Sequence, residues 1–231
     1  MFCKGRCRNS WSIRRCCPTR GSSWHSRSRT HISGVALTPL GSGCTLPKAM
    51  SLPNNIFLVG FMASGKTNVG RILSRLIGWE FVDADLELAK RTGRSIPEIF
   101  QEDGEDAFRD LERSLIKELA SDSKKVIAMG GGAFVAPDNR EQLLTHGLVL
   151  CLRAEPETIH RRITEGMLGG AESRPLLAGT PPLERIKELL GERTESYAKA
   201  HHTIDTDFLT TEQVAQEALK LFNESDAGTG G

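Results

Sequence analysis

Short apolar runs alternate with amphipathic segments from about residue 56 onward. The run Ile56-Phe57-Leu58-Val59 is typical of a strand buried on both faces of a parallel sheet. Between such runs, apolar residues recur every three or four positions, which predicts helices. Five strands are predicted, at about residues 56–59, 80–83, 125–129, 148–152 and 202–204. Helices are predicted at about residues 65–77, 86–91, 96–101, 106–120, 137–145, 155–165, 182–200 and 211–222.

Strands and helices alternate throughout this region, which is the pattern of a parallel sheet covered by helices. We therefore expect an α/β fold with a parallel five-stranded sheet and helices on both faces. Residues 166–180 contain Gly and Pro, and we predict that they form a mobile loop. Residues 224–231 are expected to fray. No apolar run reaches the roughly 18 residues of a membrane span, so a membrane role is not expected.

The charge of the chain is unevenly distributed. The 231 residues carry a net charge of +1, but residues 1–50 contain nine basic residues and no acid. The first acid is Glu80, and residues 51–231 carry 21 basic and 29 acidic residues, a net charge of −8. An acidic body of this kind argues against nucleic-acid binding.

The cysteines are skewed in the same way. Five of the six lie within residues 1–49, and only Cys151 lies in the body of the chain. A body with one cysteine has no internal disulfide framework, which is typical of a reducing compartment.

Residues 1–49 are rich in Arg, Ser, Gly and Cys and show no periodicity. Three interpretations compete: a start site assigned too early, a transit peptide, and a small metal or nucleic-acid module. The cysteine spacing lacks paired C-x-x-C motifs, which makes the third the weakest. We favour an early start, because Met50 directly precedes the first strand and residues 50–223 form a complete domain without the segment before them.

One motif carries the clearest chemistry. Residues 60–67 match G-x-x-x-x-G-K-[ST] and lie between an apolar strand and an amphipathic helix, the context of a phosphate-binding P-loop. The backbone N–H groups and the helix N-terminus would surround phosphate oxygens. Lys66 would reach the outer phosphates, and the hydroxyl of Thr67 would face Mg²⁺. The expected nucleotide-binding residues are Ala63, Ser64, Gly65, Lys66, Thr67 and Asn68.

Two carboxylates follow the second predicted strand, where ligands of open α/β sheets bind. If Asp83 and Asp85 lie on an extended segment, we expect one to face a metal and the other to face an acceptor hydroxyl. The alternative is that Asp85 only caps a helix. The third strand ends in Gly130, Gly131 and Gly132 instead of an acid, which permits close approach of a small substrate. A plain turn is the alternative there.

Three arginines are candidates for anion binding. Arg109 lies beside the core face of its predicted helix, where an ion pair with Glu105 or Glu112 would also explain it. Arg174 lies in the glycine-bounded loop, and Arg193 lies on the helix that follows. Taken singly, an arginine is more often solvated than catalytic. The histidines form no metal or nucleophile constellation.

These motifs follow one another in a characteristic order. They are the P-loop within residues 56–67, Phe81-Val82-Asp83-Ala84-Asp85, Phe108-Arg109-Asp110-Leu111-Glu112, Gly130-Gly131-Gly132-Ala133, Arg174-Pro175-Leu176-Leu177, and Arg193 with Tyr197. The combination closely resembles the shikimate kinase family over residues 52–223. Three features depart from the family pattern: Ala63 stands where Gly is frequent, Asn68 where a hydroxyl residue is common, and the loop between Arg162 and Arg174 is longer.

The resemblance implies a fold like that of the P-loop nucleoside monophosphate kinases, with a mobile lid loop. It also implies an enzyme that uses MgATP to phosphorylate the 3-hydroxyl of shikimate, a step towards chorismate and the aromatic amino acids. On the acceptor side, the resemblance implies that Asp85 contacts the hydroxyls and acts as base, and that Arg109 and Arg193 hold the carboxylate with Gly131 and Gly132. On the nucleotide side, it implies that Lys66 and Arg174 contact phosphates and that Thr67 and Asp83 organise Mg²⁺. Arg162 would lie near the adenine.

The expected partners are shikimate and MgATP, with no nucleic acid and no membrane, and a cytoplasmic monomer is expected. A plastid location is the alternative if residues 1–49 are a transit peptide. Two other functions stay open from the sequence. A gluconate kinase also phosphorylates a carboxylated polyol, and a kinase-derived module could bind without catalysis.

Overall fold

The computed structural model describes residues 54–165 and 183–227. Their elements are β1 (Asn55–Val59), α1 (Lys66–Ile77), β2 (Glu80–Asp83), α2 (Ala84–Thr92), α3 (Ile96–Glu102), α4 (Gly104–Ser121), β3 (Lys125–Ala128), α5 (Pro137–His146), β4 (Gly147–Arg153), α6 (Pro156–Thr164), α7 (Leu183–Tyr197), β5 (His202–Asp205) and α8 (Thr211–Ala227). Within these ranges, no helix combines the length and the apolar character needed to cross a membrane.

Every predicted strand and helix of the described residues is present, with bounds shifted by a few residues. The main shift is at the end of the chain, where α8 extends to Ala227. The predictions for residues 1–49, for the loop at 166–180 and for residues 228–231 lie outside the described residues.

The five strands form one parallel sheet in the order β2-β3-β1-β4-β5, which confirms the predicted fold class. All five residues of β1 are buried, as its continuous apolar run requires of a central strand. Because β1, β2 and β3 are adjacent and parallel, the segments that follow them meet at the same edge of the sheet. The order therefore places the P-loop, the two aspartates and the three glycines side by side.

Successive residues of β1 face opposite sides of the sheet. Phe57 and Val59 pack in one core layer, and Ile56 and Leu58 pack in the other. The first layer includes buried side chains of α4, α5 and α7, among them Leu115, Ile116, Leu143 and Leu189. The second includes side chains of α1 and α8, among them Val69, Leu73, Val214 and Ala218. Both faces of the sheet are thus covered by helices.

The segment that leads into β5 is held to β4 by a hydrogen bond that requires a neutral histidine. The backbone N–H of His201 donates to the Val149 carbonyl at 3.1 Å, and the Val149 N–H donates to Nδ1 of His201 at 2.9 Å. Nδ1 can accept that bond only when it carries no proton. Partial burial of the ring, and then the neighbouring His202, lower the pKa of His201 below its ordinary value of 6.5.

A depressed histidine pKa makes stability fall in acid, since the unfolded chain takes up the proton first. Between about pH 7.5 and about pH 5.5, we expect the unfolding free energy of the wild type to fall more than that of His201→Asn. In the variant, the amide oxygen Oδ1 accepts the same hydrogen bond at any pH. The expected difference is roughly 0.5–1 kcal/mol, because one partly exposed hydrogen bond is involved. Urea unfolding at both pH values measures it. His160→Asn on α6 is the control, and an identical pH dependence in His201→Asn and wild type would contradict the assignment.

Candidate active site

The P-loop joins β1 to α1 through an unusual backbone. Gly60, Ala63 and Gly65 all have positive φ, at 135°, 62° and 99°. A Cβ at Gly60 would lie 2.4 Å from the Leu152 carbonyl oxygen of β4, so a side chain cannot fit there. Ala63 adopts the left-handed conformation without being glycine, at a cost of about 1–2 kcal/mol. Alanine thus adopts the left-handed conformation at a position where the family pattern frequently has glycine.

Lys66 lies at the mouth of this loop. Its Nζ donates to the carbonyls of Gly60 at 3.0 Å and of Phe61 at 2.8 Å, which holds the ammonium against the turn that would surround a phosphate. The Ser64 hydroxyl is buried, with the residue 1% exposed, and has no hydrogen-bond partner among the described residues. Asn68 is exposed in the first turn of α1. The predicted nucleotide-binding residues thus form one continuous loop and helix start.

The two aspartates after β2 do not both lie on an extended segment, which corrects the expectation from the sequence. Asp83 ends the strand and caps α2, because its Oδ1 accepts the Leu86 N–H at 3.3 Å. Its Oδ2 accepts the Thr67 hydroxyl at 2.8 Å, which joins β2 to the P-loop helix. Asp85 is exposed in the first turn of α2, so it is neither extended nor the cap.

The glycine triplet is surrounded by charged side chains. A Cβ at Gly130 would lie 2.7 Å from Oδ1 of Asp85, and one at Gly132 would lie 2.8 Å from Nη1 of Arg109. One at Gly131 would lie 3.5 Å from Nη1 of Arg193. The triplet also forms a turn, with N–H to carbonyl bonds from Ala133 to Gly130 and from Val135 to Gly132. It is therefore both a turn and a point of close approach, and it brings the three predicted acceptor-site side chains together.

Arg109 forms the two ion pairs that the sequence offered as an alternative to anion binding. Nη1 lies 2.9 Å from Glu112 and Nη2 lies 3.0 Å from Glu105, while the guanidinium lies over the Phe108 ring. Glu112 is buried, with only 6% of the residue exposed, and burial raises the pKa of its carboxyl against the opposing effect of Arg109. From the sequence, Glu112 was expected as an ion-pair partner of Arg109 and as the last residue of the motif at 108–112, but its burial was not predicted. Its position three residues after Arg109 was the available signal for a buried support.

Arg193 is buried as well, with 8% of the residue exposed. Its guanidinium lies over the Phe61 ring of the P-loop, and Nη1 donates to the Gly131 carbonyl at 3.3 Å. Of the three arginines predicted to bind anions, Arg174 lies outside the described residues. The remaining two reach the triplet from different helices, α4 and α7.

A link between the P-loop and the β5–α8 connection was not expected from the sequence. Nη1 of Arg162, on α6, donates to the Ala63 carbonyl at 3.0 Å and to the Thr206 hydroxyl at 3.1 Å. Its Nη2 donates to the Thr206 carbonyl at 2.7 Å. Arg162 therefore lies against the strained residue of the P-loop. The resemblance implied only that Arg162 lies near the adenine of the nucleotide.

Comparison with known proteins points to one family. The family model for shikimate kinase matches residues 62–223. A shikimate kinase of Thermodesulfovibrio yellowstonii is 41% identical over 174 residues, which cover 75% of this chain and 98% of that protein. The structure of a shikimate kinase from Acinetobacter baumannii in complex with shikimate matches with a TM-score of 0.69 and 39% identity, covering 75% of this chain and 94% of that one.

A gluconokinase structure from Sinorhizobium meliloti also matches, with a TM-score of 0.50 over 75% of this chain and 93% of that one. At 16% identity, that likeness shows the fold alone. The P-loop is common to many kinases, so the family is shown by the matching family model and by the relatives at about 40% identity. The chain belongs to the shikimate kinase family.

Proposed function

We propose that this protein transfers the γ-phosphoryl group of ATP to the 3-hydroxyl of shikimate, giving shikimate 3-phosphate and ADP. One observation carries the proposal: a carboxylate and two guanidinium groups meet at a glycine triplet directly beside a P-loop. This arrangement offers a base and an anion site on one side and a phosphate site on the other. Membership of the family and the shikimate-bound relative support the choice of acceptor.

Arg109 and Arg193 bind the carboxylate of the acceptor. A guanidinium presents a planar pair of donors that matches a carboxylate, and such charge-assisted hydrogen bonds are about twice as strong as neutral ones. The two groups also offset the acidic character of the body, which otherwise repels a small anion. Glu112 and Phe61 hold the two guanidinium groups from behind.

Asp85 accepts the proton of the 3-hydroxyl as the oxygen attacks the γ-phosphorus. The bond from that phosphorus to the β,γ-bridging oxygen breaks, and ADP leaves. Lys66 exchanges its carbonyl partners Gly60 and Phe61 for the phosphates, and Arg174 contacts the phosphates as they react. These groups supply positioning and charge stabilisation, which account for most of the catalysis of phosphoryl transfer.

A magnesium ion fits Thr67 and Asp83. Mg²⁺ prefers oxygen ligands and is held in kinases by one or two carboxylates together with substrate phosphates. The Thr67 hydroxyl and Asp83 Oδ2 lie 2.8 Å apart beside the P-loop, so both oxygens face the same small space. When bound there, the ion neutralises charge on the β- and γ-phosphates.

The test of the proposed function is a coupled assay of ADP release from MgATP by the full chain. We expect turnover with shikimate and none above background with gluconate or nucleoside monophosphates. Gluconate is the informative competitor, because it also presents a carboxylate beside hydroxyl groups. Turnover with gluconate but not with shikimate would overturn the proposal, and so would nucleotide binding without turnover of any acceptor.

The proposal extends to a monomer in the cytoplasm that binds neither nucleic acid nor membrane. The net charge of −8 over residues 51–231 disfavours binding to the phosphate backbone of a nucleic acid. Burial raises the pKa of the Cys151 thiol to about 11, so this cysteine stays a protonated, unreactive core residue.

Residues 1–49 are expected to be dispensable for activity, because the elements that build the site begin with β1 at Asn55. Their deletion should leave the melting temperature within about 2 °C of the full chain. The kcat and both Michaelis constants should stay within about twofold, since no group assigned a role is removed. Thermal melts and the coupled assay on both proteins measure this. A large loss in either would show that the segment packs on the domain, and N-terminal sequencing of the native protein would separate an early start from a cleaved peptide.

A further inference from the structure

The chain contains a single tyrosine, and its hydroxyl points at the acceptor site. Tyr197 is the last residue of α7, and its hydroxyl donates to the Gly131 carbonyl at 2.6 Å. We infer that Tyr197 is a positioning residue for the acceptor, which fixes the Gly131–Gly132 peptide and the Arg193 guanidinium relative to each other. The inference rests on the proposed function, since it concerns how the same site holds its substrate.

Two donors from one helix meet at the Gly131 carbonyl. Arg193 and Tyr197 are four residues apart and so share a face of α7. Nη1 of Arg193 reaches the carbonyl at 3.3 Å, longer than the bond from Tyr197. Tyr197 therefore makes the stronger contact and anchors the carbonyl, while the weaker contact leaves Arg193 able to turn towards a carboxylate.

The carbonyl of residue 131 and the N–H of residue 132 belong to one planar, trans peptide unit. A bond that fixes the direction of the Gly131 carbonyl therefore also fixes the direction of the Gly132 N–H, which points the opposite way. On the Gly132 side lies Arg109, whose Nη1 and Nη2 would be 2.8 Å and 2.9 Å from a Cβ there. The peptide held by Tyr197 thus lies between the two arginines of the acceptor site.

The same peptide borders the nucleotide loop. A Cβ at Gly131 would lie 3.6 Å from the Met62 nitrogen and 3.7 Å from the Gly60 carbonyl oxygen. A rotation of this peptide would move an acceptor contact relative to the P-loop. Such sites need their groups held within about 0.5 Å, so a peptide between glycines, which have no side chains to restrain it, requires an external support.

Tyrosine suits this task because it stays a donor. It is 8% exposed, and burial raises the pKa of its hydroxyl to about 12, so it keeps its proton at every pH at which the protein works. Phenylalanine would fill the same space but would leave a partly buried carbonyl with only the longer bond from Arg193.

The experiment compares Tyr197→Phe with the full-length wild type in the coupled assay. We expect the Michaelis constant for shikimate to rise about 5- to 10-fold, the effect of one neutral hydrogen bond, while kcat changes less than about 3-fold. The Michaelis constant for ATP should stay within about 2-fold, since the nucleotide loop keeps its own contacts. A purely structural role would lower stability and affect both substrates alike.

Ser196→Ala is the matched control. Ser196 precedes Tyr197 on α7, and its hydroxyl lies 3.4 Å from Nη1 of Arg140, which supports the Phe134 and Val135 carbonyls beyond the triplet. This change also removes one hydroxyl between α7 and the same turn, but it leaves the Gly131 carbonyl untouched. All kinetic constants should stay within about 2-fold.

A second measurement uses the wild-type protein, so it holds even if Tyr197→Phe does not fold. With Cζ-labelled tyrosine, the carbon spectrum contains one protein tyrosine signal. We expect shikimate to shift that signal with the same dissociation constant as found by calorimetry, and ATP alone to leave it in place. Unchanged shikimate affinity in Tyr197→Phe, or an unmoved signal at saturating shikimate, would overturn the inference. Absence of shikimate turnover in the wild type would instead overturn the proposed function.

Discussion

Replacement of Asp85 by asparagine is expected to lower kcat about 10²- to 10⁴-fold, the usual loss when a general base is removed. Asparagine keeps the shape of the side chain but cannot accept the proton of the attacking hydroxyl. Asp85 lies beside Gly130, on the proposed acceptor side of the site, whereas the nucleotide loop is joined to Asp83. The Michaelis constant for ATP should therefore change little in the coupled assay.

The control for this substitution is Glu87→Gln. Glu87 is the other acid in the first turn of α2, so its change removes the same charge from the same helix end. It pairs with Arg91, away from the triplet, and kcat should stay within about 2-fold. Near-normal turnover in Asp85→Asn would exclude Asp85 as the base, and an equal loss in both variants would assign the effect to the helix charge.

Replacement of Arg109 by alanine should lower kcat/KM for shikimate roughly 10- to 100-fold, as expected for a lost charge-assisted hydrogen bond. Arg109→Lys keeps the charge but loses the planar pair of donors, so its loss should be smaller yet measurable. The Michaelis constant for ATP should stay nearly constant. If ATP binding fell while shikimate binding held, Arg109 would belong to the nucleotide side.

The ion pair with Glu112 complicates this variant and also supplies its control. Without Arg109, a buried carboxylate loses a partner at 2.9 Å, which destabilises the fold. The double variant Arg109→Ala/Glu112→Gln removes that unpaired charge, and the loss for shikimate should persist in it. Recovery of kcat/KM in the double variant would mean that Arg109 only neutralises Glu112. Arg113→Ala, one turn further along α4 in an exposed pair with Asp110, should have little effect.

Much of the fold follows from local sequence pattern. The apolar run of β1, the glycine motif after it and the helical spacing of α1 lie within 23 consecutive residues, and each depends only on near neighbours. Short-range chemistry also fixes the start of α3 in the structure, where Ser95 and Glu98 make both bonds of a capping box. Features of this kind can be predicted from the sequence alone, because they depend on residues that are close together in the chain.

Local pattern was insufficient at the second aspartate. The sequence left open whether Asp85 was extended or a cap, and the structure makes Asp83 the cap instead. Two carboxylates separated by one residue offer nearly equal capping chemistry, so propensity cannot choose between them. The choice comes from Thr67, 16 residues earlier, whose hydroxyl holds Asp83 at the end of the strand.

The sequence by itself therefore determined the fold class, the phosphate loop and the candidate residues of the acceptor site. Only the tertiary structure decided the strand order that places β3 between β1 and β2, and with it the meeting of Asp85, Arg109 and Arg193 at the triplet. It alone also showed that Tyr197 holds Gly131, 66 residues away, and that Arg162 holds Ala63, 99 residues away. Such contacts arise from the packing of distant elements, and no short-range periodicity encodes which distant elements become neighbours.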